Sequence, residues 1–590
     1  MRRFAIALLF LTVTVTTTHT QDALTRDQRI QDLTHLANAY AKNYAPYEWK
    51  RDVIGFDLLR LTPWLHEIHH ADDLEFQEAL IEYVASLNDA HDIIAFPTTF
   101  SAALPLAVDI YDGKVLIEAL NPLAFPGATR GDELVSIDGQ PVASLIATFR
   151  KYAIAANPRS TDRVAASRIV SRSQQIMPHI SELGTNATVV IKLATGPTNT
   201  YVVPWSKIGI PVTSQGPVPS PRRGNGRLLL ESGAQAGAAA AGAGPGSIFQ
   251  FGAAGPTDDT LPSYMDSIRP LLNVSVSKDY YSVQGIGSRF PIFLNALLAA
   301  GFVPRDVPPG VPAFLFSGTY MSNGRRIGYL RIPTMSPPNV AAVLSHLDQE
   351  IAFFNANTDA LVIDVMRNPG GLVSFVESIS QRFMNAPFQT IGFEIRATAA
   401  WLFNFAAMLT NARLSPTPPP PAVLANLEAN YNEVLRAYNE ERGRSAPVSL
   451  NATGSLTLTP SPVTYAKPLI VLTDEFSASG GDMFPAIIQS NHRGPLFGMR
   501  TMGAGGSVVN FSGPAFTESF FRITVSLMNR GHIVTTPEYP PAPYIENIGV
   551  RPDIPADYMT RANLMADGAP FVAAFTAAIV QHAQATTAAQ

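Results

Sequence analysis

The stretch "VLTDEFSASGGDMFPAIIQSNHRGPLFGMRTMGAGGSV", residues 471–508, decides the fold. It starts as an apolar run, breaks at a turn of small residues and resumes with helical spacing, which predicts a buried strand, a tight turn and a helix. A serine placed where a buried strand breaks into a helix has its hydroxyl aimed out of the sheet edge, beside the unpaired N–H groups of the helix start. Those N–H groups are what a tetrahedral oxyanion needs. Ser477 and Ser479 both lie in this turn, and Gly480-Gly481 allows the close backbone approach that an oxyanion hole requires. The same pattern also fits a serine that simply caps the helix, and the turn alone leaves that alternative open.

A second turn of this kind is "VIDVMRNPGGLVSF", where Gly370 and Gly371 open a helix after a strand ending near Met366. Its N–H groups can converge on the same sheet edge. Asp364, on that strand, is expected to shape the turn. "DALVIDVM" and "KPLIVLTDE" are apolar almost throughout, as strands covered on both faces are. With "RRIGYLRIP" they make the region after about 313 an α/β domain. A Pro run at 416–421 opens an insertion of about 413–462, in which Leu424, Leu427, Tyr431, Val434 and Tyr438 form one helical stripe. The stripe is expected to pack on the domain, with a lid over a cleft as the alternative.

The rest of the 590-residue chain divides by pattern, since its length exceeds what one core usually serves. Residues 1–20 carry Arg2 and Arg3 ahead of a short apolar run and read as a secretory signal peptide, with an uncleaved anchor as the alternative. Residues 21–98 are expected to form a helical domain, with Leu74, Phe76, Ala79, Leu80, Tyr83, Val84 and Leu87 at helical spacing. Residues 99–206 are short apolar runs with turns, Asp138-Gly139 among them, and form a β-rich module. The Gly/Ala/Pro-rich segment 207–265 cannot bury a core and reads as a linker or insertion, leaving 266–590 for the α/β domain.

Apolar residues make up 46% and charged residues 15%, the balance of a folded protein. A net charge of −5 and no basic run longer than "PRRGNGR" argue against nucleic acid as a partner. No segment after the leader is apolar for long enough to span a membrane, so the expected product is soluble and secreted, or periplasmic in a Gram-negative source. The absence of cysteine removes disulfides, thiolate metal sites and cysteine nucleophiles together.

At this point the residues carry a resemblance. "DVMRNPGG", "DEFSASGGDMFPAIIQSNHRG", "GMRTMGAGG" and "IENIGVRPDI" resemble the C-terminal processing, or tail-specific, serine proteases and their tricorn-type relatives. "PGATRGDELVSIDGQPVASL" looks like the PDZ module those proteases carry. The resemblance implies a multidomain α/β protein: a crotonase-like catalytic domain with a helical N-terminal domain and a PDZ-like β-rich domain. It also exposes a departure. Tail-specific members activate the serine with a lysine in an "FGKG" motif, and here "MGAG" puts Ala504 in that place, with no lysine after Lys467. The branch that includes the chlamydial protease-like activity factors lacks this lysine, is similar in "GAGG", "DMFPA" and "IENIGV", and uses a Ser-His-Glu arrangement.

By that resemblance Ser479 is the nucleophile, His91 of "ASLNDAHDIIAF" the general base and Glu546 the carboxylate that orients it, with Glu538 as the alternative acid. The oxyanion donors implied are the N–H of Gly480 and one from Gly370 or Gly371. The chemistry suits these types, since histidine titrates near neutral pH and a carboxylate on its far nitrogen stabilises the imidazolium. The reading is a secreted serine endopeptidase acting on proteins or peptides without a cofactor or metal, and a homodimer stays open. By position the 207–265 segment is an autoinhibitory or self-cleaved insertion, or a plain linker. Two rivals stand beside this. "HEIHH" at 66–70 fits His-Glu-x-x-His, with His66 and His70 as zinc ligands and Glu67 as base, though no third ligand follows. An inactive member binding peptides or apolar ligands, as the interphotoreceptor retinoid-binding proteins do, is the other.

Overall fold

The computed structural model describes residues 23–96, 98–153, 155–214, 285–517 and 519–589; the leader and most of the 207–265 segment lie outside them. Its centre is a seven-stranded sheet ordered Val303–Pro304, Phe316–Ser322, Arg325–Arg331, Ala360–Asp364, Leu469–Thr473, Leu496–Gly498 and Ile554–Pro555. The first three strands pair antiparallel, and the rest run parallel from Arg325–Arg331 onward. Alternate residues of the two central strands serve opposite layers, which is why they read as unbroken apolar runs. Leu361, Ile363, Leu469 and Val471 pack under helices Val340–Asn357, Val373–Phe383 and Gly480–Ser490. Val362, Ile470 and Leu472 pack against Phe571, Phe575 and Ile579 of the C-terminal helix Ala569–Ala589.

Four helices, Arg26–Asn43, Tyr47–Ile54, Thr62–Glu67 and Asp73–Ala85, build the N-terminal region. Its apolar stripe is buried as read, but in a core continuous with that of the α/β domain. Tyr40 stacks on Phe521 at 6.2 Å, and Ile93–Ala95 pairs antiparallel with Phe520–Thr524. The region is therefore a layer of the α/β unit, and its last residues are strand rather than helix.

The β-rich module holds a six-stranded antiparallel sheet that includes Leu106–Tyr111, Lys114–Leu120, Glu133–Ile137, Asn186–Lys192 and Thr198–Pro204. Asp138 and Gly139 both take positive φ, 51° and 77°, in the two-residue hairpin between Ile137 and Gln140. Within the insertion, helix Pro421–Asn439 packs beside helix Ala399–Arg413 and buries Leu427 and Val434, while Tyr438 faces solvent.

Candidate active site

Asp364 and Thr473 end adjacent parallel strands, so the chain turns over the same sheet edge twice. The two turns are stitched together. Asp474 Oδ1 accepts the Arg367 N–H at 2.7 Å, and the Asn368 carbonyl accepts the Ala478 N–H at 2.9 Å. A Cβ on Gly370 would lie 2.6 Å from both the Gly480 nitrogen and Ser479 Cβ, and one on Gly481 would lie 2.3 Å from the Asn368 oxygen. Only glycine lets the turns close to this distance. Asp364 shapes its turn as expected, accepting from Met366 N–H and Arg331 at 2.8 Å each.

The two serines separate by environment. Ser477 is buried and donates to the Val365 carbonyl at 2.8 Å, so its hydroxyl holds one turn on the other. Ser479 is only partly buried and sits at φ 56°, ψ −112°, an uncommon conformation for a residue with a Cβ. It immediately precedes helix Gly480–Ser490, so the Gly480 N–H is one of the helix's unpaired donors. Of the two glycines in the other turn, Gly370 gives its N–H to Asn368 Oδ1 at 2.9 Å, while the Gly371 N–H has no acceptor among the described residues.

Asp482 was not singled out by the sequence reading, although Ser-x-x-Asp at a helix start is a capping signal. It accepts from Ser479 N–H at 2.7 Å, Gly503 N–H at 2.8 Å and Ala504 N–H at 3.0 Å. Burial pushes its carboxyl up to about 6, against the pull of those donors. Ser479 and Ala504 thus share one carboxylate oxygen, and Ala504 stands beside the nucleophile turn where the family pattern would put a lysine.

From Ala504 the loop passes to Gly505, whose N–H donates to Glu546 Oε2 at 2.9 Å. Glu546 is buried, and its Oε1 pairs with Lys50 Nζ. Burial and the charge of Asp89 push its carboxyl upward, while Lys50 and the Gly505 N–H pull it down. Lys50 also donates to the Asn88 carbonyl at 2.8 Å, and Asn547 Nδ2 donates to the same carbonyl at 3.0 Å. That carbonyl opens the turn that carries His91. The His91 N–H donates to Asp89 Oδ1 at 2.9 Å, and burial lowers the imidazole to about 4. Its Nδ1 is buried without a hydrogen-bond partner. The segments bearing Ser479, His91 and Glu546 are therefore linked through Asp482, Gly505 and Lys50. Among the described residues no hydrogen bond joins the three side chains to one another.

The β-rich module braces the Ser479 turn through Glu475. Arg163, on helix Pro158–Val170, pairs with Asp109 at 2.7 Å and with Glu475 at 2.7 Å, all three buried. Burial opposes the charge of Glu475, yet Arg163 and Arg159 draw its carboxyl down to about 2. Ser160 Oγ donates to the Glu475 carbonyl at 2.6 Å.

The remaining candidates lie elsewhere. Glu538 is half-exposed and paired with Arg551, in contrast to the buried Glu546. In "HEIHH" the helix stops at Glu67, so His66 and His70 do not sit one turn apart on one helix; Asp72 caps the next helix through the Leu74 and Glu75 N–H groups.

Comparison with known proteins agrees with this architecture. Residues 326–556 match the model of peptidase family S41 and residues 100–211 that of the PDZ domain. The chain is a multidomain α/β protein that carries a PDZ domain and an S41 peptidase domain. A protein of Chlamydia trachomatis is 26% identical over 593 residues, covering 94% of this chain and 92% of the relative. One of Chlamydia pneumoniae is 25% identical over 597 residues, covering 91% and 87%. The fold matches that of mature CPAF complexed with lactacystin, with a TM-score of 0.70, 22% identity and coverage of 95% of this chain and 99% of that one.

Proposed function

We propose that this protein is a serine endopeptidase in which Ser479, His91 and Glu546 form the catalytic triad. The observation that carries the reading is the strained, partly exposed Ser479 at the junction of two glycine turns, where Gly370 closes on Ser479 and the Gly480 nitrogen. In the reaction His91 takes the Ser479 proton as Oγ attacks the peptide carbonyl carbon, and the Gly480 and Gly371 N–H groups receive the oxyanion. His91 then protonates the departing amine, and water attacks the acyl-enzyme with His91 again as base. Catalytic hydrogen bonds often tighten only when substrate fills the site, which accounts for a histidine that still lacks its partner. Burial keeps His91 neutral, the form a base needs, and Glu546 is the buried carboxyl joined to the His91 turn through Lys50. The N-terminal leader supports export of the mature enzyme.

The test is hydrolysis of casein and of peptides by the wild type beside Ser479→Ala and His91→Ala, each with and without a chelator. Turnover falling about 10⁴-fold or more in both variants, with no effect of chelation, is the expected result. Variants that keep wild-type turnover would overturn the triad. A wild type that neither cleaves nor is labelled by a serine-reactive phosphonate would instead indicate a binding protein on the same fold.

A further inference from the structure

Lys50 lies on the short helix Tyr47–Ile54, and its ammonium group is buried together with Glu546. An ammonium carries three N–H donors and no acceptor. Three acceptors meet it here: Asn547 Oδ1 at 2.7 Å, the Asn88 carbonyl at 2.8 Å and Glu546 Oε1. All three acceptors lie on the glutamate turn and the histidine turn, so the Lys50 head is directed to those turns and not to the serine. It cannot take over the work of the lysine that Ala504 replaces.

What it can do follows from the groups it joins. Asn88, at φ 48°, begins the turn that carries His91, and Asp89 holds that turn by accepting from the His91 N–H at 2.9 Å and from Tyr44 Oη at 3.0 Å. Glu546 and Asn547 belong to the loop that Gly503 and Gly505 anchor to the nucleophile side. One side chain thus ties the histidine turn to the glutamate turn. The charged and titratable groups facing this cluster are Asp89, Asp92, His91, Tyr44 and Arg522. Asp89 opposes ionisation of Glu546 at close range, and Lys50 is the cation in contact with Glu546. A carboxylate buried beside another carboxylate loses its charge unless a cation compensates.

We infer that Lys50 is a positioning residue of the triad: through Glu546, Asn547 and the Asn88 carbonyl it fixes the glutamate turn against the His91 turn. The inference rests on the Ser479–His91–Glu546 reading. In it, the cation of this site has moved from the serine to the acid and is supplied by the N-terminal helical layer, so the site is complete only when that layer is in place.

The test uses the full chain with Lys50→Met, Lys50→Arg, Glu546→Gln and the double variant Lys50→Met/Glu546→Gln, each normalised by active-site titration with a phosphonate. Lys50→Met is expected to lower kcat by roughly 10²-fold or more with KM little changed. It also moves the acid limb of kcat/KM to higher pH, because Glu546 and His91 both lose a neighbouring cation that lowers their pKa. Lys50→Arg keeps the charge and brings the limb back toward wild type. The double variant removes both buried charges, so it recovers melting temperature lost in Lys50→Met but not turnover. If Glu546→Gln is inactive while titrated Lys50→Met keeps the wild-type kcat and pH profile, Lys50 is merely structural and the inference fails, with the triad intact. If Glu546→Gln turns over like wild type, the triad acid is misassigned and the role of Lys50 falls with it.

Discussion

Two layers flank the Ser479 region, the N-terminal helices and the PDZ module, and they differ in how they are joined to it. The N-terminal helices join the sheet through an apolar core, with Tyr40 on Phe521, and place His91 and Lys50 at its edge. The PDZ layer shares an apolar core with Phe476, Ala478, Met502 and Ala504 and adds buried charge, with Arg163 between Asp109 and Glu475; it places no candidate catalytic group there. An apolar contact tolerates small shifts, because its energy varies smoothly with buried area. A buried ion pair does not, because displacement leaves a charge uncompensated in a medium that cannot solvate it. Both layers carry a buried pair, and the PDZ one is the larger, with one guanidinium shared by two carboxylates. The N-terminal layer is held by area together with Lys50 on Glu546 and Asp32 on the Thr517 N–H.

The largest effect that would break this contrast is the loss of Arg163. Arg163→Met leaves Asp109 and Glu475 buried without their shared cation and is expected to cost about 3–5 kcal/mol of stability. Urea unfolding measures it. Removing the carboxylates as well, in Arg163→Met/Asp109→Asn/Glu475→Gln, should recover most of that loss, since the cost is uncompensated charge rather than lost packing. A triple variant no more stable than the single one would place the bracing in shape and area, and the two layers would then be alike.

Acid separates the layers next. His91 is lowered from its ordinary 6.5 to about 4, so the unfolded chain binds its proton first and the stabilisation present above pH 6.5 is lost as pH falls toward 4. By the area under that window the effect reaches up to about 3 kcal/mol. Glu475, lowered from 4.5 to about 2, loses its contribution as pH falls from 4.5 toward 2. Raised carboxyls such as Glu118 and Glu377, both near 7, act with the opposite sign, so the wild-type curve alone does not isolate either group. The difference between wild type and His91→Gln does. It should slope between pH 6.5 and 4 and be flat below, and a flat difference throughout would mean that His91 is solvated in the folded protein.

Much of this arrangement could be read from local pattern. The strands Ala360–Asp364 and Leu469–Thr473 were legible because both faces are covered, and the two glycine turns because only glycine allows their approach. The displaced lysine was legible as Ala504. Lys50, Asp482 and Arg163 were not, because what makes them matter is burial beside partners distant in the chain: Lys50 meets Glu546 across 496 residues, and Arg163 meets Glu475 across 312. A lysine in "YEWKRD" carries no local sign that its head will be dry. "HEIHH" offered a rival reading for the converse reason. The spacing is helical, but the Asp72 cap starts a new helix and the chain leaves the old one at Glu67.

The smallest expected effect tests the contrast inside the turn itself, between two serines two residues apart. Ser477→Ala removes the hydroxyl that donates to the Val365 carbonyl and accepts from the Asp474 N–H at 3.1 Å. Both partners are buried, so the loss is about 1–2 kcal/mol, seen as a lower urea midpoint with turnover retained to within a few-fold. Ser479→Ala does the reverse, because the removed hydroxyl is partly exposed and its backbone strain remains: stability stays within about 0.5 kcal/mol of wild type while turnover is lost. A variant set in which Ser477→Ala abolished phosphonate labelling and Ser479→Ala did not would exchange the two roles. It would also require a buried hydroxyl, closed off by Val365 and Asp474, to reach a peptide carbonyl without unstitching the two turns that form the site.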